Sequence, residues 1–136
     1  SRQVTHEHPN NVTFWKSQAR LFYTLSGMDE NYLLDSLTSL QKASLLAPTD
    51  PKISYNLALL YGQTAPPAGG AELAIKTLEE TVRLKPNYRD AYYALGLFYS
   101  EEGERQKAIE QMDYIIKNIA TNDAQAVEQL LEWRGY

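Results

Sequence analysis

Residues 84–111 read LKPNYRDAYYALGLFYSEEGERQKAIEQ, and the order of large and small apolar side chains in this stretch decides the fold. Leu95, Phe98 and Tyr99 recur at i, i+3 and i+4, the spacing that gathers side chains on one face of a helix. Gly103 then supplies a turn, and a second stripe runs through Ala108, Met112 and Ile115 in steps of four and three. The unit is therefore helix, turn, helix. It occurs twice more upstream. Residues 46–61, LAPTDPKISYNLALLY, put Leu57, Leu60 and Tyr61 in the same places, followed by the stripe Ala74, Leu78, Thr81. Residues 10–22, NNVTFWKSQARLF, follow the same order and lead to Ser36, Leu40 and Ala43. Pro9, Pro48 and Pro86 each precede a polar turn and a helical run, 39 and 38 residues apart. A fixed period of this length is the mark of a repeat array, in which stacked units share one continuous core.

Turn chemistry divides the chain at the same points. Asp50 before Pro51 reads as an N-cap followed by proline at the first helical position, and Asn87 and Asn122 are placed to cap later helices. Gly27, Gly69 with Gly70, and Gly103 fall between the two helices of each unit. The pattern predicts helices over 12–26, 30–46, 51–63, 70–84, 88–102, 104–118 and 123–134.

These units resemble tetratricopeptide repeats. That pattern runs Trp, two residues, Leu-Gly, two residues, Tyr, then Ala, three residues, a large apolar residue, and finally Pro. The third unit supplies Tyr92, Leu95, Gly96, Tyr99, Ala108 and Met112, with Ala120 in place of the proline. The second supplies Leu57, Ala58, Tyr61, Ala74, Leu78 and Pro86, with Ser54 in the tryptophan slot and extra residues around APPAGG. In the first, Trp15, Ala19, Phe22, Leu40, Ala43 and Pro48 match, while Gln18 and Ser36 depart and the hairpin from Gly27 to Leu34 is longer. The resemblance implies an all-α right-handed superhelix, or solenoid, of three such units at about 12–50, 51–88 and 89–122. A capping helix at about 123–134 closes it, and residues 1–11 read as a flexible linker. Trp15, Tyr61, Tyr92 and Tyr99 are expected in the core.

Composition excludes several function classes. With 136 residues, 43% of them hydrophobic, the chain has material for one domain. A net charge of −4 with scattered Lys and Arg provides no footprint for a phosphate backbone, so no nucleic-acid partner is expected. There are no cysteines for disulfides or thiolate metal sites, and compartment is left open. Apolar runs are only a few residues long, far short of the roughly 20 that cross a bilayer, so no membrane insertion of this segment is expected. Ser1 and the polar residues after it read as the edge of a piece of a larger protein. Residues 46–61 and 84–111 are also similar to repeat domains appended to bacterial O-antigen ligase or polymerase-like membrane proteins. That resemblance implies a soluble attachment to a membrane protein that carries no catalytic residue itself.

Catalytic chemistry finds little support. His6, Glu7 and His8 lack the helical spacing of a zinc protease and precede every predicted helix, so no metal site is expected. Both histidines lie ahead of Pro9, away from any nucleophile or acid in the ordered body. Gly69 and Gly70 lack the lysine and hydroxyl residue of a phosphate loop and read as a hairpin turn. The pairs Glu79, Glu80 and Glu101, Glu102 read as solvated faces. Asn11-Val12-Thr13 matches a glycosylation acceptor, a triplet frequent by chance. No catalytic residue and no cofactor is expected, and the chain does not read as an enzyme.

Binding is the better-supported class, because the first helices of stacked pairs line a concave groove. The register assigns Lys16, Arg20 and Tyr23 to it from the first unit. The second contributes Tyr55, Asn56, Leu59 and Gln63, and the third Asp90, Tyr93, Leu97 and Glu101. Tyr55 and Tyr93 stand at equivalent positions, and tyrosine and arginine are common recognition anchors. The competing reading packs those tyrosines between neighbouring first helices. One group of these repeats clamps the terminal carboxylates of chaperone tails. Lys16 and Asn56 match its pattern, but Arg20 replaces an asparagine, and Asp90 and Ala94 replace its basic pair. The expected partner is a protein or peptide in the groove. Self-association through a flat apolar end of the stack is a second class, and a homo-oligomer would follow from it.

Overall fold

The computed structural model describes residues 10–135 of the chain. Seven α-helices occur among them: α1 Val12–Leu25, α2 Asn31–Leu46, α3 Pro51–Gly62, α4 Ala71–Leu84, α5 Arg89–Glu101, α6 Arg105–Asn118 and α7 Ala124–Arg134. Each lies within two residues of its predicted span at both ends. All but two residues of the predicted linker, together with Pro9 and the His6-Glu7-His8 triplet, fall outside the described residues.

Packing is sequential. The densest contacts join α1 to α2, α3 to α4 and α5 to α6, and thinner seams join α2 to α3, α4 to α5 and α6 to α7. Helix pairs that touch chiefly their neighbours along the chain make an all-α solenoid. The second-helix stripes account for the interior: Ser36, Leu40, Ala43, Ala74, Leu78, Thr81, Ala108, Met112 and Ile115 are all buried. Trp15, Tyr92 and Tyr99 are buried with them, while Tyr61 is half-buried against the first cluster.

The departures from the repeat pattern have local explanations. Ser54, in the tryptophan slot, shares a 2.5 Å hydrogen bond with the buried Thr81 hydroxyl, so two small polar groups satisfy each other there. Ser36, in an alanine slot, donates to the Ala19 carbonyl at 2.7 Å. A buried hydroxyl with a partner avoids the cost of an unmet hydrogen bond. Gly96 marks the tightest crossing. A Cβ there would lie 2.7 Å from Met112 Cε and 3.3 Å from the Ala108 carbonyl oxygen. In the APPAGG insertion, Gly70 takes φ +111° and its N–H donates to the Tyr61 carbonyl at 2.7 Å, closing the α3–α4 hairpin.

Two expected caps are displaced. Asn11 and Asp50 do cap α1 and α3 through their side chains. At α7 the cap is Asp123 instead of Asn122, its carboxylate accepting the Ala126 N–H at 3.0 Å. At α5 the N-cap position belongs to Tyr88, one residue beyond Asn87, and no side chain caps it.

Candidate functional site

A cavity of about 340 Å³ opens between α1, α2 and α3. Helix α1 contributes Lys16, Ala19, Arg20 and Tyr23, one face at i, i+3, i+4 and i+7, while α3 contributes Lys52, Asn56 and Leu59, with Gln63 just past its end, from the opposite wall. Ser36 and Leu40 of α2 reach it from beneath. Tyr23 Oη donates to Gln63 Oε1 at 3.2 Å, joining the two walls at one end. Three cations line the cavity and no carboxylate does. Lys16, Arg20 and Lys52 are exposed, and among the described residues none of them forms an ion pair. Like charges gathered around a low-dielectric concavity raise the local concentration of opposite charge.

Of the groove residues expected from sequence, Lys16, Arg20, Tyr23, Asn56, Leu59 and Gln63 line this one cavity. The remaining five lie elsewhere. Tyr55, half-buried, packs its ring 5.2 Å from that of Tyr88. Burial raises its hydroxyl pKa, and the charge of Asp90 adds to the effect. Tyr93, also half-buried, lies under the Arg89 guanidinium at 4.6 Å. Asp90 is exposed and accepts from Arg89 at 3.1 Å, Leu97 is half-buried, and Glu101 is exposed at the end of α5.

Sequence reasoning missed Lys52, although its position one turn before Asn56 puts both on one face of α3. It also missed the ion pair that joins α5 to the start of α7. Arg89 Nε and Nη2 donate to the Asp123 carboxylate at 2.6 and 2.8 Å, and Nη2 donates to Gln125 Oε1 at 2.7 Å. The pair raises the guanidinium pKa further and holds the Asp123 carboxyl below the usual carboxylate range. No signal in the periodicity links two residues 34 positions apart.

The other motifs have structural occupations. Asn11 Oδ1 accepts the Phe14 N–H at 3.1 Å as the cap of α1. Glu79 accepts from the Tyr99 hydroxyl at 2.5 Å, and Glu80 pairs with Arg83 along α4. Among the described residues no cluster of His, Cys, Asp or Glu could hold a metal ion. No helix among them is long and apolar enough to cross a membrane.

Stacked helix pairs with a cation-lined cavity between the first two define a helical-repeat solenoid. No family model and no curated protein matches the chain. Solved structures do. MamA is similar at 30% identity, with 98% of this chain and 74% of that one covered and a TM-score of 0.77, and a second MamA structure gives 30%, 98%, 69% and 0.76. TTC0263, a thermophilic TPR protein in Thermus thermophilus, is 16% identical over 99% of this chain and 70% of that one, with a TM-score of 0.76. The chain belongs to the tetratricopeptide-repeat family.

Proposed function

We propose that the chain is a protein-binding scaffold module, not a catalyst, and that the cavity between α1 and α3 receives an acidic, partly apolar segment of its partner. The observation that carries this reading is the set Lys16, Arg20 and Lys52, without ion pairs among the described residues, around a wall that also offers Leu59, Asn56 and Gln63. An unpaired cation at the rim of a concavity steers an anionic partner inward, and the apolar wall then retains it. Lys16 and Asn56 share the cavity as a tail clamp requires. The third-unit positions do not complete one, because Ala94 is buried and Asp90 is bound to Arg89. An internal acidic stretch therefore fits better than a free carboxyl terminus. The five groove candidates outside the cavity would act on such a segment only where it runs on past α3 towards α5.

Calorimetric titration with a synthetic peptide in which glutamates flank two leucines tests the proposal. Binding should weaken about tenfold when Lys16→Glu and Arg20→Glu are combined, since each rim charge is worth up to roughly 1 kcal/mol. Lys117→Glu, on α6, should leave it unchanged. Equal affinity for the double variant and the parent would rule out the cavity as the working surface.

A further inference from the structure

Among the described residues, the large apolar side chains that stay exposed are confined to two places. Leu21, Tyr23, Met28, Leu34, Leu45 and Leu46 lie in the first helix pair, and Val127 and Leu131 lie on α7. Helix α7 packs inward through Ala126 and Leu130, and its opposite face carries Val127 and Leu131 beside Glu128 and Glu132, all exposed. Each pair is separated by four residues, so an apolar stripe and an acidic stripe run side by side along one surface. Neither glutamate forms an ion pair among the described residues.

We propose that this face of α7 docks into the α1–α3 cavity of a second copy of the chain. The inference rests on the cavity being a binding site, and it names the occupant. Lys16 and Arg20 are one helical turn apart on α1, as Glu128 and Glu132 are on α7, so the two helices can lie alongside each other with both charges matched. Lys52 adds a third cation, and the half-buried Leu59 offers apolar surface to Val127 and Leu131. The rival surface is the apolar end around Met28 and Leu34. Exposed Asp29, Glu30 and Asp35 lie beside these residues in sequence and would repel the two glutamates. The contact is between copies, because α7 packs on α6 and is tied at its start to α5 through Arg89 and Asp123. Two different patches then meet, which makes the interface heterologous.

Sedimentation velocity on the full chain, over concentrations up to millimolar, reads the result. The parent should gain mass with concentration, and less so at high salt. Glu128→Lys with Glu132→Lys, and separately Lys16→Glu with Arg20→Glu, should each weaken self-association at least about tenfold. Helical content should stay unchanged in both. Mixing the two double variants should restore association, because each retains the patch that the other has lost. A parent that stays monomeric, association that neither double variant alters, or a mixture that stays monomeric would each overturn the proposal. If the parent is monomeric but the glutamate–leucine peptide still binds the cavity, self-docking fails and the cavity reading stands. If the peptide is not bound either, both fail.

Discussion

Arg20 and Arg89 sit on the first helices of the first and third units, and the molecule employs them in opposite ways. Arg89 is mostly buried, gives two hydrogen bonds to Asp123 and one to Gln125, and fastens the start of α7 to α5. Arg20 is exposed at the cavity with no ion pair among the described residues. Residue type alone does not locate a binding surface; what matters is whether the fold has already neutralised the charge. The C-terminal end is locked by charge, and the N-terminal pair keeps its charge available.

The largest test of this contrast acts on packing at the locked end. Gly96→Leu puts a branched side chain where even a Cβ lies 2.7 Å from Met112 and 3.3 Å from the Ala108 backbone oxygen. Overpacking of this kind costs roughly 1–3 kcal/mol, and the backbone contact places this site at about 3. Urea denaturation measures it. A loss near zero would mean that α6 yields freely and that the third pair is not rigid.

Removing the lock itself should cost somewhat less. Arg89→Ala leaves Asp123 partly buried without its cation, a loss of about 2 kcal/mol for a charge-assisted pair. Acid should loosen the same joint. Because Arg89 holds the Asp123 carboxyl below its ordinary range, the pair stabilises the fold at neutral pH, and that contribution disappears as pH falls below the usual carboxylate values. Amide exchange should then speed up in α7 before α1, since no ion pair fastens α1 to α3. Simultaneous loss of protection in both helices would erase the distinction between the two ends.

The fold was legible because it is periodic. Ser36, Leu40 and Ala43 and their counterparts follow one helical stripe, and a stripe needs only sequence spacing to be read. The cavity was legible in part for the same reason. Lys16, Arg20 and Tyr23 share a helix face whatever α1 packs against, and Lys52 could have been added from its spacing to Asn56. Tyr55 and Tyr93 differ. Whether such a ring lines a groove or fills a seam depends on how consecutive pairs cross, and Tyr88 and Arg89 take up those rings. Spacing also gave no access to Arg89 with Asp123, a pair formed across a seam, or to the displacement of the α7 cap onto Asp123.

The smallest expected effect on stability is the most informative for function. Arg20→Glu removes no hydrogen bond or ion pair among the described side chains, so the melting transition should stay where it is. The new carboxylate would stand one turn from Lys16 and neutralise it, leaving Lys52 as the main cation of the cavity. Stopped-flow mixing with the glutamate–leucine peptide should therefore show association slowed about fivefold or more. The salt dependence of the rate should flatten, because the steering charge has gone, while dissociation changes less. A variant that melts early would show Arg20 to be a structural cation like Arg89, and the contrast between the two ends would collapse. One that melts normally and associates at the parental rate would show that its free charge serves no ligand at this cavity.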